Sequence, residues 1–194
     1  MQTLIAHHIV TTFKTIPPQM GAVQDYLIAG NGVFVRAERP EFSAIVPWQM
    51  FKQSLCGLDA VKPAFSLNLP TVPSHLVKKM IERAKQPQPF VETLFYFVWD
   101  SEWKLIVPPQ TGSRGGVRLL DPYSEVHQKA LIEVHSHPPG ANQFSSRDDQ
   151  SAKGFRVFGL ITHLDTVPKL TVRVGIEGHF WEFPSEWVFG TKEA

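Results

Sequence analysis

The residues best suited to chemistry lie in Leu131-Ile132-Glu133-Val134-His135-Ser136-His137-Pro138. An extended chain sends residues i and i+2 to the same face, so His135 and His137 project together. Two imidazoles at one strand end are a common way to hold a divalent metal. Pro138 stops the ladder and leaves the pair at a rim that a substrate can reach. A third ligand is needed. Ser145-Ser146-Arg147-Asp148-Asp149 opens a helix, and a carboxylate in its first turn can swing back to the strand end, so Asp148 or Asp149 could close the site. Each half also has a plainer reading. Paired histidines occur on surfaces and in satisfied cores, and Ser145 with Asp148 is the pattern of a helix N-cap with a first-turn acid.

These residues need elements to carry them. Leu76, Val77, Met80, Ile81 and Ala84 recur at helical spacing after a candidate N-cap at Ser74, and Pro87 and Pro89 would stop the helix. Val91 to Trp99 and Trp103 to Val107 are rich in aromatic and β-branched residues and predict strands. Pro108 to Gly116 then predicts the mobile tip of a long hairpin. Val117 to Leu120 and Ala130 to His137 read as strands, Ser145 to Phe155 as a helix and Val157 to Thr162 as a buried strand. Leu170 to Glu177 and His179 to Phe183 form a closing hairpin around Gly178. Upstream, Asp25 to Ala29 and Val33 to Arg36 flank Gly30-Asn31-Gly32 at hairpin spacing, and Phe42 to Val46 continues the meander. Prolines 63, 70 and 73 predict a covering loop or a boundary near residue 72.

Composition bounds the function. The 194 residues suffice for one domain with a core plus a small extension, and nineteen Lys and Arg against eighteen Asp and Glu leave a charge of +1. No overall basic field therefore draws the chain to nucleic acid or to an anionic membrane. The one cysteine, Cys56, excludes an intrachain disulfide and a cysteine metal cage. No run approaches the ~18 apolar residues of a membrane helix, so the expectation is a soluble, cytoplasmic protein.

Taken together, His135, His137, Pro138, six intervening residues, Ser145, two residues and Asp148 resemble the JAMM motif of the JAB/MPN metalloproteases. The resemblance covers roughly residues 72 to 183. Residues 1 to 71 form a β-rich segment ahead of it, an arrangement that more narrowly resembles the protein A family of PRTRC plasmid and integrative-element systems. It implies an α+β fold with a mixed β-sheet packed by helices in a cytidine-deaminase-like layering, and a metalloprotease domain over 72–194. It also implies His135, His137 and Asp148 as ligands of one Zn2+ whose water has a pKa lowered to about 7. Only Asp148, not Asp149, keeps the family's distance from His137. Glu92, forty-three residues before His135, takes the place of the family's catalytic glutamate as general base, and Ser145 that of the oxyanion donor. The implied activity is hydrolysis after the C-terminal tail of a ubiquitin-like protein, as a deubiquitinase-like isopeptidase, with an activating-enzyme-like protein as a further partner. The alternative is a non-catalytic MPN-type module that binds such a partner. Thr93-Leu94-Phe95-Tyr96 is bulkier than many relatives carry beside the base.

Other candidates read as structural. Glu82 fits a solvated helix face, and Glu133 shares the histidine face but sits two strand steps from His137, which suits a supporting carboxylate. His127, His163 and His179 lack a partner at ligand spacing, and Trp99, Trp103, Trp181 and Trp187 fit packing. The Pro108 to Gly116 stretch is a candidate clamp over an extended substrate laid beside a strand edge.

Overall fold

The computed structural model describes residues 3–11, 16–86 and 90–190. The helix stop expected at Pro87 and Pro89 lies outside them. The protein is a mixed α+β fold made mostly of sheet. It divides into two compact units. The first comprises Met1–Pro70 with Lys153–Phe155 and Val174–Trp181, and the second comprises Thr71–Ala152, Arg156–Arg173 and Glu182–Ala194. Among the described residues no helix is long and apolar enough to cross a membrane.

The first unit holds a five-stranded sheet in chain order: β1 (Ile5–Ile9), β2 (Gln24–Ala29), β3 (Gly32–Arg39), β4 (Phe42–Met50) and β5 (Ala64–Leu67). The hairpin around Gly30-Asn31 and the meander into β4 are as expected. β1, parallel to β2, and β5, inside the expected covering loop, are additions. Their short alternating runs carry little periodicity. Asn31 explains why the loop closes: its side-chain amide donates to the Val61 carbonyl at 2.8 Å and accepts from the Val61 N–H at 2.9 Å. Val61 then joins Val10, Leu27, Ala29 and Phe34 in one apolar cluster.

A buried charge lies in this sheet. Asp25 is fully buried opposite Arg36 across β2 and β3, and its carboxylate accepts from Arg36, from His8 Nε2 at 2.9 Å, and from the backbone N–H groups of Gly21 at 2.7 Å and Met20 at 3.1 Å. Burial alone would raise its pKa, but Arg36 and the two backbone donors outweigh it and hold the carboxyl below its usual range.

The strands of the second unit belong to a six-stranded sheet, of which Phe155 and residues 174–176 and 179–181 fall in segments of the first. In chain order its strands are β6 (Leu94–Trp99), β7 (Trp103–Ile106), β10 (Ile132–Ser136), β11 (Phe155–Thr162), β12 (Lys169–Ile176) and β13 (His179–Phe183). The spatial order is β13-β12-β11-β10-β6-β7, so β10 is central, parallel to β11 and antiparallel to β6. Phe95, Phe97, Ile132 and Val134 are fully or almost fully buried. Helix α1 (Ser74–Lys85) buries Met80 and Ala84, and its Arg83 and Gln86 line a depression together with Thr93, Phe95 and Val107, which puts the helix over that face. Ser74 is the first helical residue and not its cap. Pro73 takes the cap position, with no side-chain hydrogen bond, because its fixed φ already aims the chain into the helix.

Three further elements depart from expectation. Pro108 to Gly116 is not a loop tip: β8 (Gln110–Ser113) and β9 (Gly116–Leu119) form a separate two-stranded ribbon. A short helix α2 (Glu125–Lys129), capped by the Ser124 hydroxyl on His127 N–H, precedes β10. Helix α3 (Ser146–Ser151) stops well before Phe155, because Ala152 is extended and Gly154 takes a left-handed φ of 78°.

The Asp25 network generates a prediction. Because its folded pKa lies below the ordinary aspartate value of 3.8, its stabilisation is complete above that value and is lost as pH falls through the lowered one. Asp25→Asn should leave Arg36 buried without its counter-charge and cost about 3–5 kcal/mol in urea unfolding at neutral pH. The gap between the two proteins should narrow as the pH is lowered below about 4.

Candidate metal centre

The site starts from the register of two strands. His135 of β10 stands opposite Leu94 of β6 and Glu133 opposite Tyr96. Carrying that register past the last ladder pair sets Ser136 against Thr93 and His137 against Glu92. Two hydrogen bonds hold this extension in place, from Ser136 N–H to the Thr93 carbonyl at 2.9 Å and from Thr93 N–H to the Ser136 hydroxyl at 3.0 Å. Glu92 therefore lies two residues before β6, not within a strand as the resemblance placed it, yet on the same sheet face as both histidines. Its own N–H donates to the Ser113 carbonyl of the ribbon at 2.8 Å.

The ribbon is tied to this segment at further points. The Gln110 amide accepts from Leu94 N–H at 2.7 Å and donates to the Leu94 carbonyl at 2.9 Å, acting as a strand partner where β7 no longer reaches. A Cβ on Gly112 would stand 2.2 Å from the Glu92 carbonyl oxygen, so only glycine permits this approach. Arg147 of α3 donates to the Gly115 carbonyl at the ribbon's turn.

The ligand set converges. Nε2 of His135 and Nε2 of His137 are 3.1 Å apart, and they lie 3.3 Å from Oδ1 and 3.4 Å from Oδ2 of Asp148. The three groups could hold a metal ion. Ligands about 2.0–2.1 Å from a tetrahedral ion stand roughly 3.3–3.4 Å from one another, so the separations fit such a centre with two imidazoles and one carboxylate. Asp149 does not take part. It pairs with Arg173. Nδ1 of His137 is buried beside the backbone of Ala141, short of hydrogen-bonding geometry.

Asp148 is held from its own helix. Its Oδ2 accepts from Ser145 N–H at 2.6 Å and from the Ser145 hydroxyl at 2.8 Å, while Ser145 Oγ accepts from Asp148 N–H at 3.2 Å, a complete capping box. The capping pattern and the ligand pattern are thus the same pair of residues at work. Ser145 meets Asp148, and its hydroxyl is committed there.

Charge in the site is tuned by burial and by proximity. Burial would raise the Asp148 carboxyl, but hydrogen bonds from His135 and His137 bring it far below the ordinary range. His137 moves the other way: burial lowers it, and the Asp148 hydrogen bond more than compensates, leaving it raised. Glu92, 8% exposed, is raised chiefly by burial, with the two histidines opposing. That is the direction a carboxyl needs to trade protons near neutral pH.

Glu92, His135 and Asp148 share a cleft of about 440 Å3 with Leu94, Leu119 and Glu133. His127 also lines it. Two other contributors escaped the sequence reading. The Phe144 ring packs edge-on to His135, at 5.9 Å between centroids, and Arg173 of β12 lies 3.8 Å above Phe144 while pairing with Asp149. Arg173 is 5% exposed, and a charged residue between Val172 and Val174 in an apolar strand was the signal for it.

Neither models of known protein families nor curated proteins gave a match to this chain. The geometry yields a prediction of its own. Titration should find one divalent ion per chain, abolished by His135→Ala. Arg173→Met, which releases Phe144 and Asp149, should weaken zinc affinity about 10–100-fold in a chelator competition assay.

Proposed function

We propose that this chain is a zinc-dependent peptidase or isopeptidase that cleaves after the C-terminal tail of a ubiquitin-like protein. One observation carries the reading: two imidazole nitrogens and a carboxylate converge within 3.4 Å, with a buried glutamate in the same cleft. His135, His137 and Asp148 would hold the ion, and a zinc bound there supplies a Lewis acid that brings the pKa of a water to about 7.

The chain's own residues do the rest. Glu92 accepts the proton of the attacking water as the new C–O bond forms, and returns it to the nitrogen as the C–N bond breaks, giving a carboxylate and a free amine. Its raised pKa suits both halves of that exchange. Ser145 can donate to the developing oxyanion only by giving up its bond to Asp148, so its steadier contribution is to hold that ligand. The ribbon β8–β9 flanks the cleft and supports the expectation of a clamp beside an extended tail, with Val117, Leu119 and Leu120 along the wall.

Purified protein mixed with a ubiquitin-like protein carrying a C-terminal extension should release the extension in intact-mass spectrometry. A chelator should stop the reaction. Glu92→Gln should slow it about 10²–10⁴-fold with zinc content unchanged. Full zinc loading with no cleavage would instead indicate a binding module, and a chain that takes up no metal would sink the proposal.

A further inference from the structure

Beyond the ligand set, the same cleft is lined by His127 and Glu133, which the proposed chemistry does not use. Arg156 Nη1 lies 3.3 Å from Glu133 Oε2 and 3.4 Å from His127 Nδ1, and Arg156 Nη2 donates to the His127 carbonyl at 2.6 Å. The Tyr96 hydroxyl, fully buried, is 2.6 Å from the same His127 Nδ1.

These contacts assign the tautomer. A guanidinium can only donate, so Nδ1 is an acceptor and Nε2 carries the proton. Burial and the Arg156 charge also lower the imidazole's affinity for a second proton. Among the described residues neither His127 Nε2 nor Glu133 Oε1 has a protein partner, although both residues line the cleft. The cleft thus presents one oriented N–H donor and one carboxylate acceptor, bridged by a single arginine.

The surroundings narrow the ligand. Glu133 and Arg156 offset each other's charge, so this point of the cleft offers neither a carboxylate nor an ammonium a free counter-charge. What remains is a neutral group with an acceptor and a donor side by side. We propose that His127 and Glu133 form a carboxamide-binding subsite, with His127 Nε2–H donating to the carbonyl oxygen and Glu133 accepting from the amide N–H. Strand residues two apart are separated by ~6.6–6.8 Å, so Glu133 would read an amide about two residues along an extended chain from the bond held at His135. The subsite deepens the peptidase reading, and rests on it for the amide's belonging to a substrate. A main-chain peptide group and an Asn or Gln side chain share this chemistry.

The test uses the full chain with ¹⁵N-labelled histidine, zinc-loaded, titrated with three probes: capped diglycine, its N-methylated sarcosine analogue, and propionamide. Capped diglycine should move the His127 Nε2 resonance and the sarcosine analogue should not, which identifies a main-chain group. A shift with propionamide alone would identify a side-chain amide, and supports the same subsite. His127→Phe should weaken probe binding about fivefold to tenfold, and His127→Gln, which restores a donor, should recover most of it. Unchanged thermal melting of His127→Phe would show that the loss is local. The proposal is overturned if no amide probe moves the His127 resonance, or if His127→Phe binds the probes as tightly as the unmodified chain. A chain that cleaves its substrate yet shows no shift refutes the subsite alone. A chain that shows the shift yet cleaves nothing refutes the peptidase reading alone.

Discussion

Two hydrogen bonds between Ser136 and Thr93 decide where Glu92 stands relative to the two histidines. The β6–β10 ladder ends at Leu94 and His135, and past that point the strands would be free to splay. Ser136 closes the gap with its backbone N–H and its hydroxyl, so the antiparallel register continues for two more residues. Cross-strand neighbours share a face. That continuation brings Glu92 opposite His137, and no contact local to Glu92 would have done so. Ser136 is fully buried, where a lost partner leaves a polar group unsatisfied.

The remaining parts act on this frame. Parallel pairing with β11 and antiparallel pairing with β6 make β10 the centre of the sheet, so His135 within it and His137 just past its end are presented from a strand held on both sides. The carboxylate ligand comes from a less constrained place, a helix of six residues following a loop. Arg173 compensates for that: it reaches from β12 to both Phe144 and Asp149 and so ties the start of α3 to the sheet. The ribbon is secured by the same logic, through the Gln110 amide and the close approach of Gly112 to Glu92. Rigid support from several elements is what a site needs if its groups are to keep their geometry without a substrate present.

Electrostatics and geometry agree across the cleft. The Asp148 carboxylate and the His137 ring shift each other in opposite directions, as an acid and a base in contact do, while Glu92 is set apart by burial. Three carboxylates and three guanidiniums line or underlie the cleft without collapsing into one network, because Arg147 is spent on the ribbon, Arg156 on Glu133 and His127, and Arg118 lies on the wall. The first unit has its own buried charge at Asp25, held by a cross-strand arginine and by backbone N–H groups.

How much of this was legible follows from the range of each interaction. The alternation of His135 and His137, and the Ser145–Asp148 spacing, are consequences of strand and helix periods, and periods are written in the chain. The hairpin at Gly30-Asn31, the amphipathic face of α1 and the closing hairpin at Gly178 were legible for the same reason. Helix ends were not. Ser74 was displaced as cap by Pro73, and α3 ended early at Gly154, because caps depend on dihedrals that propensity does not specify. Val117 to Leu120 was legible as β9, but β8 lies in a Pro- and Gly-rich stretch whose order comes from a distant partner, Leu94. By itself the sequence determined which side chains could bind a metal and the local spacing that pairs them. Only the tertiary structure decided that Glu92, named by the resemblance, stands on their face, that His127 lines their cleft and that Arg173 braces the helix carrying Asp148, because each arrives through strand pairing or packing between residues tens of positions apart, and no local period encodes such contacts.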